Sequence, residues 1–378
     1  MEAIINYFMT TEREIYLKQV RKEGKKDYAN GFYERELATS FGKLNLKVPR
    51  VRIGKAFRPT ILPKKWKRVD EKYETLLLAL LANGYSREQI KSTLKKLNLP
   101  YDEEALDFLS QNIYDDLKAF KNKPLNHTYF AVFIDAYHTK VRLEDKQIKE
   151  IVIYTAVGVD TEGNREVLGY WIKQGFERKN YWADILQDMI SRGLRKVGIF
   201  VTDDFNGVRE LISKLFPLSD HQLCILHVKR NIKRSVEKKD FKIVNSYFAK
   251  IKESLNLEEA EKYFGELIEF LKPKYKELAK NLLEKKNNIL PFVKYPLEVR
   301  RHIYTTNIVE GINSAIDKMR IELGGYFPSM RTLEINLAIQ FANLNEMWLK
   351  RPLYAIRAHS YEICQIMTMK FDIPNFNS

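Results

Sequence analysis

Thr128-Tyr-Phe-Ala-Val-Phe-Ile-Asp135 and Val197-Gly-Ile-Phe-Val-Thr-Asp203 are the two stretches that decide how this chain is read. Each is a short, nearly unbroken apolar run that stops on an aspartate. Runs of this length, rich in Val, Ile and Phe, read as buried strands. A carboxylate at the end of a buried strand loses its hydration unless a cation or hydrogen bonds replace the water. One such end alone reads as a turn cap. Two together point to a shared divalent ion.

Working outward, Ile151 to Val159 and Val167 to Lys173 are further strand candidates, and Tyr181 to Arg192 is an amphipathic helix. Three strands in a meander, a crossover helix and a central parallel strand form the order of a ribonuclease-H-like fold. In that order the first and fourth strands are neighbours, which would bring Asp135 and Asp203 together. Gly207 to Phe216 reads as another helix and Gln222 to Val228 as another short strand. From Lys229 to about Leu290 the sequence is lysine-rich and helical with no strand candidate, so an all-helical insertion over 229–299 is expected. Its apolar positions, among them Ile243, Phe248, Ile251 and Leu255, give each helix one core face and one basic face. That basic face, with Lys233, Lys238, Lys239 and Lys242, is either a solubilising shell or a hold on DNA. Helices follow at Thr306 to Met319 and Thr332 to Leu349, and Glu310 in the first of them supplies a third acid. Three hard oxygen donors suit two Mg2+ or Mn2+ ions.

Upstream, residues 1–68 hold 17 Lys and Arg against 7 Asp and Glu, so ten of the fifteen net positive charges of the chain lie there. Gly42 to Arg52 alternates polar and apolar residues as a half-buried strand does. A small basic β-element is expected, with Arg50, Arg52, Arg58, Lys64, Lys65 and Arg68 as candidate DNA contacts, interleaved with Phe32, Tyr33, Phe57 and Trp66. A solvated charged surface is the plain alternative. In 69–125 the spacing predicts helices from Glu71 to Ala82, from an N-cap at Ser86 to Leu97, and from Asp102 to Phe120. Helix, short Gly-containing turn and helix fit a helix-turn-helix DNA-binding region, or two scaffold helices. Lys121-Asn-Lys-Pro-Leu-Asn126 is a candidate linker.

With 378 residues, 45% hydrophobic and 30% charged, the composition is that of a folded chain of two or three domains. The net charge of +15 favours a polyanionic partner, foremost double-stranded DNA. No run of about 18 apolar residues is present to span a membrane, and the N-terminus lacks a secretory layout, so no membrane partner and a cytoplasmic, nucleoid-associated location are expected. Two cysteines, Cys224 and Cys364, make neither a disulfide framework nor a four-cysteine zinc site.

Several segments together resemble the Mutator-type prokaryotic insertion-sequence transposases. They are Phe133-Ile-Asp-Ala-Tyr-His-Thr-Lys-Val-Arg142, Arg165-Glu-Val-Leu-Gly-Tyr-Trp171, Val201-Thr-Asp-Asp-Phe-Asn-Gly207, Gln222-Leu-Cys-Ile-Leu-His-Val-Lys-Arg-Asn231 and Thr305-Thr-Asn-Ile-Val-Glu310. Asn30-Gly-Phe-Tyr-Glu-Arg35, Val48-Pro-Arg-Val-Arg52 and Gly325-Tyr-Phe-Pro328 extend the likeness over nearly the whole chain. The resemblance implies catalytic, metal-holding acids at Asp135, Asp203 and Glu310. It also implies a Cys-x-x-His element at Cys224 and His227, read here as supporting or DNA-positioning and not as zinc-binding. Lys229, Arg230 and Asn307 join that supporting group, and Tyr137 and His138 are candidates beside the first acid. Two departures stand out. The family usually has Gly after the second acid where this chain has Asp204, and Gly311 and Ile312 follow Glu310 where a basic or bulky residue is common. Adjacent strand residues face opposite ways, so only one of Asp203 and Asp204 fits the site, and the motif favours Asp203.

The expected organisation is therefore a ribonuclease-H-like catalytic domain over 126–228 and 300–350 and a C-terminal tail over 351–378. The expected function is a DDE transposase that binds terminal inverted repeats, hydrolyses a phosphodiester and joins the freed 3′-hydroxyl to another strand. It would work as a homodimer or higher synaptic assembly. The alternatives are a domesticated DNA-binding protein without catalysis and a nuclease of the same fold without strand transfer.

Overall fold

The computed structural model describes residues 2–39, 42–53, 57–62, 71–82, 85, 87–97, 99–101, 103–175, 178–205 and 207–372. The chain separates into two compact units, 1–117 and 118–378.

In the first unit a long helix α1 (Glu2–Lys22) precedes two antiparallel strands, β1 (Ala29–Thr39) and β2 (Gly42–Val51). The alternation read in the sequence is realised in β2, where Leu44, Leu46 and Val48 are buried while Lys43, Asn45 and Lys47 face out. A two-stranded ribbon is marginal in water by itself. Here Met9 of α1, partly buried Ile5, Leu37 and Leu62 close over the strand leucines to make a small core. Full burial of each such side chain stabilises by about 1.5–3 kcal/mol. Buried Arg13 donates from Nη1 to Gly31 O at 3.2 Å, with its guanidinium 4.8 Å from the centre of the Phe32 ring. Helices α2 (Glu71–Ala82), α3 (Arg87–Lys96) and α4 (Glu103–Asn122) follow. The turn between α2 and α3, including Ser86, lies outside the described residues apart from Tyr85. Helix α4 runs through the expected linker start. Beyond it Leu125 is buried, its N–H bonded to Arg192 O at 2.8 Å.

The second unit is a mixed α/β domain around a five-stranded sheet. In chain order its strands are β3 (Thr128–Arg142), β4 (Ile148–Val159), β5 (Arg165–Gln174), β6 (Lys196–Thr202) and β7 (Asp220–Leu223), and in space they run β5-β4-β3-β6-β7. The first three pair antiparallel, whereas β6 lies parallel to β3 and β7 parallel to β6. Helix α5 (Lys179–Ser191) makes the crossover into β6, and α6 (Val208–Leu215) leads on to β7. Trp182, Ile185, Leu186 and Met189 of α5 pack with Val132, Ile134, Tyr154 and Phe200 of the sheet in one core.

After β7 come α7 (Ile225–Ser235), α8 (Lys238–Glu253), α9 (Leu257–Leu271), α10 (Lys276–Glu284), α11 (Lys286–Ile289), a 3-10 turn at Pro291–Lys294 and α12 (Leu297–Ile303). Helices α13 (Asn307–Glu322) and α14 (Met330–Leu349) return to the sheet. The strand expected over Gln222 to Val228 is thus four residues, Asp220–Leu223, and Ile225 already begins a helix. Buried Ile225, Val228 and Ile232 recur at helical and not strand spacing.

The expected C-terminal tail instead forms α15 (Tyr354–Ala358) and α16 (Ser360–Phe371). A Cβ on Gly198 of β6 would stand 2.6 Å from the Phe130 carbonyl oxygen of the neighbouring strand, which is why glycine occupies that position, and 2.6 Å from the sulfur of Met367 in α16. Lys370 of the same helix donates to Gly198 O at 2.8 Å and pairs with Asp220 at the start of β7. Among the described residues no helix is long and apolar enough to cross a membrane.

Candidate active site

Strand register positions the first two acids. Thr202, the last residue of β6, pairs with Ile134 of β3, so Asp203 and Asp135 leave that pair side by side on neighbouring strands about 4.8 Å apart. The first strand does not stop at its aspartate, as the sequence suggested. It continues to Arg142, with Asp135 opposite Thr155 of β4, and only β6 ends at this level. Asp135 is therefore a buried mid-strand acid with an open flank where β6 has stopped.

Helix α13 closes that flank. Glu310, Asn313 and Asp317 recur at i, i+3 and i+7 on one face. Asn313 Nδ2 donates to Asp135 Oδ2 at 2.7 Å, and the Tyr137 hydroxyl donates to Asp317 Oδ1 at 2.5 Å. From the other side α7 brings His227 and Arg230. His227 Nδ1 is 2.5 Å from Asp203 Oδ1, and its Nε2 is 4.0 Å from Glu310 Oε1. Arg230 Nη1 lies 3.6 Å from the same glutamate oxygen and 3.0 Å from His227 Nε2. These side chains line a pocket of about 370 Å³.

Cys224 stands one helical turn behind the pocket and is fully buried. Its N–H bonds to Thr202 O at 2.8 Å, and its sulfur accepts the Thr306 N–H at 3.5 Å and the Thr306 hydroxyl at 3.4 Å. The residue thus joins the start of α7 to the start of α13, the two helices that carry His227 and Glu310.

The electrostatics follow from this crowding. Burial, then the neighbouring Asp203 charge, pushes the Asp135 carboxyl up to about 7. Contact with the Asp203 carboxylate, then with the Cys224 sulfur, raises His227 to about 10. A guanidinium only donates, so the Arg230 contact calls for a lone pair on His227 Nε2 and leaves the ring proton on Nδ1, facing Asp203. A doubly protonated ring opposes Arg230.

Asp203 Oδ1, His227 Nδ1, Glu310 Oε1 and Asn313 Oδ1 are all buried without a well-directed hydrogen bond. Asp203 Oδ1 and Glu310 Oε1 face His227 and Arg230 at 2.5 Å and 3.6 Å as ion pairs only, so the oxygens of this donor set keep the capacity to take a hard divalent ion. Ligand atoms of Asp203, Cys224 and His227 also lie within 4.8 Å of one another, close enough to share an ion.

The structure therefore brings together Asp135, Asp203, Glu310, His227 and Arg230, with Cys224 behind them. Asp204 points away to Lys285 and Arg209. Lys229 is not in the pocket. Its ammonium sits 5.7 Å from the Phe248 ring centre, and burial lowers its pKa. Asn307, in the first turn of α13, is exposed and outside the pocket, whereas Asn313, absent from the expected site residues, lies within it. Tyr137 lines the pocket, and exposed His138 faces the opposite side of β3 by strand alternation. Arg50, Arg52 and Arg58 are exposed on the first unit, and Lys64, Lys65 and Arg68 lie outside the described residues. Asn313 is legible in the sequence only as one of two asparagines, with Asn307, around Glu310, and Asp317 not at all; both carried one usable signal, their helical spacing from Glu310.

Residues 1–351 match the family described as Transposase, Mutator family. Among curated relatives, the chain is 29% identical over 317 residues to a transposase for insertion sequence element IS905 of Lactococcus lactis, covering 84% of this chain and 79% of that protein. It is 28% identical over 312 residues to a transposase for insertion sequence element IS1201 of Lactobacillus helveticus, covering 82% and 83%. A transposase for insertion sequence element ISRM3 of Rhizobium meliloti is 26% identical over 354 residues, covering 93% and 87%.

Proposed function

The chain belongs to the Mutator family of transposases, and from that premise we propose that Asp135, Asp203 and Glu310 are the catalytic acids of its DNA cutting and joining. The strand order, three antiparallel strands followed by two parallel ones with the first and fourth adjacent, supports a ribonuclease-H-like reading of the sheet. Residues 225–303 are then its helical insertion, and the basic first unit is a DNA-binding region. The substrates are the terminal inverted repeats of the chain's own insertion sequence and a double-stranded target, brought together by two or more copies of the chain.

Asp135, Asp203 and Glu310 would hold two Mg2+ or Mn2+ ions, which when bound activate the attacking oxygen and stabilise the leaving one. The protein supplies the rest by positioning. Asn313 orients the Asp135 carboxylate, and His227, its Nδ1 2.5 Å from Asp203 Oδ1, stands beside that of Asp203 as an ion-pair partner. Arg230, at the mouth of the pocket, is placed to meet a backbone phosphate once Glu310 is engaged elsewhere. No covalent enzyme intermediate is needed, so no serine or tyrosine nucleophile has to be found.

The observation that carries this reading is the register that sets Asp135 beside Asp203 with Glu310 across the same pocket. Its test is Asp135→Asn, Asp203→Asn and Glu310→Gln, assayed for nicking and strand transfer on end DNA. Each variant is expected to lose cleavage by a factor of a thousand or more while binding DNA nearly as the parent does. Full activity in any of the three removes that residue from the site.

A further inference from the structure

Asp204, at the position where the resemblance leads one to expect glycine, takes no part in the pocket. Its carboxylate is held from two sides. Lys285 Nζ pairs with Oδ2, and Arg209 Nε lies 3.8 Å from Oδ1. Lys285 stands between α10 and α11, at the returning end of the helical insertion. Its side chain is 16% exposed and that of Asp204 22%, so the pair is shielded from the screening that makes surface pairs weak.

The same returning segment grips the strand ends beneath it. Asn288 Nδ2 donates to His221 O at 3.2 Å, and the Gln222 side chain bridges Ile289 O and Phe292 N at 3.0 Å each. Thr202 Oγ1, 2.8 Å from His221 Nε2, donates to Asp203 O at 2.8 Å. Lys285 is thus anchored on a segment fixed to the tips of β6 and β7, where Asp203 leaves the sheet. Because β6 ends at Thr202, strand alternation does not fix the direction of Asp204, and this partly buried carboxylate next to a metal-holding acid, if released, offers a divalent ion a rival pair of oxygens.

Taking Asp203 as the second catalytic acid, we infer that Lys285 sequesters Asp204, so that a side chain from the insertion keeps the rival acid out of the metal site. Lys285 is then a positioning residue. The insertion does more than fill the space between the second and third acids, because its returning end decides which of two adjacent carboxylates the ions meet. The glycine-to-aspartate departure is tolerated because a cation from the insertion answers it.

The test uses the full chain with Lys285→Met, Asp204→Asn and the double variant, measuring end-DNA cleavage against Mg2+ concentration, DNA binding and thermal melting. Lys285→Met is expected to cut at least tenfold more slowly, with half-saturating Mg2+ moved at least threefold and DNA binding within twofold of the parent. Asp204→Asn alone, and the double variant, are expected within threefold of the parent rate, since no rival acid remains. A parental rate and Mg2+ dependence in Lys285→Met overturn the inference. So does a double variant as slow as Lys285→Met with weakened DNA binding, which makes Lys285 a phosphate contact. Should Lys285→Met fail to melt cooperatively, Lys285→Gln takes its place with the same expected loss, and a parental rate and Mg2+ dependence there overturn the inference; loss of cleavage in Asp204→Asn overturns it as well, by making Asp204 a metal acid. An active Asp203→Asn sinks the underlying site reading instead, and so separates the two failures.

Discussion

Asn313 Nδ2 donates to Asp135 Oδ2 at 2.7 Å, and this bond ties the helix that carries Glu310 to the strand that carries Asp135. One turn further along, Asp317 accepts from the Tyr137 hydroxyl and is held by Arg320 Nη2 at 2.7 Å. Arg320 Nη1 in turn donates to Gly325 O at 2.9 Å, and Phe327 N–H bonds to Lys140 O on the free flank of β3 at 2.8 Å. Helix α13 is therefore fixed in register along β3, with residues 313 and 317 of the helix meeting 135 and 137 of the strand.

Asn313→Ala breaks the link nearest the acids. A hydrogen bond to a charged group contributes about 1.5–3 kcal/mol. Each 1.4 kcal/mol lost from the transition state is roughly tenfold in rate. Cleavage is expected to fall by about ten- to a hundredfold and the melting temperature by several degrees, at about 2–4 °C per kcal/mol, with cooperative melting kept because Tyr137 and Arg320 still hold the helix. Asn313→Asp should be worse, since it sets a further carboxylate against Asp135. Initial nicking rates beside thermal melts check both, and an Asn313→Asp variant as active as the parent would count against the positioning role.

How much of this could be read from the sequence depended on whether a residue's partner lay nearby in the chain. The apolar runs ending at Asp135 and Asp203 announced β3 and β6 because a strand buried on both faces needs no partner to be recognised. The continuation of β3 to Arg142 was hidden, since Lys140 and Arg142 face out and resemble a loop until β4 is seen beside them. Helix α1 was missed because apolar residues occupy both its faces. Met9 and Leu17 point inward while Ile4, Tyr7, Phe8 and Ile15 are exposed, which blurs the single stripe that marks an amphipathic helix. Asn313 gave no sign in isolation. Its role exists only because α13 crosses β3, a contact between residues 178 apart in sequence.

The raised Asp135 carboxyl makes a pH prediction for the metal-free protein. Its folded value, about 7, lies above the ordinary carboxylate value of 3.8, so in that window the folded state binds more protons than the unfolded one. Its contribution is fully present below about pH 4 and is lost as pH rises through about 7. His227, raised to about 10 from 6.5, has the same sign but acts in the higher window between those values. Asp135→Asn is therefore expected to gain stability relative to the parent as pH goes from 4 to 7, with the difference constant above that. Added Mg2+ should shrink the difference by stabilising the ionised parent site. Thermal melts of both proteins at several pH values, with and without Mg2+, test this. A stability difference that does not vary between pH 4 and 7 would contradict it.

The last prediction concerns the first unit, where Arg50, Arg52 and Arg58 are exposed. None of the three belongs to the small core, which is made by Met9, Leu37, Leu44, Leu46, Val48 and Leu62. Replacing all three by Gln in the full chain should leave the melting temperature within a degree or two. Each phosphate neutralised in a duplex contributes about 0.9 to the slope of log affinity against log salt. The triple variant should therefore bind end DNA more weakly at low salt, with a slope shallower by about 2–3 if all three touch phosphates. Cleavage of DNA already saturating the enzyme should be nearly unchanged, because the acids and their positioning groups all lie in the second unit. Titrations at several salt concentrations give the slope directly. An unchanged slope would make this arginine group a solvated surface and shift the search for the end-binding face to the lysines of the helical insertion, Lys233, Lys238, Lys239 and Lys242.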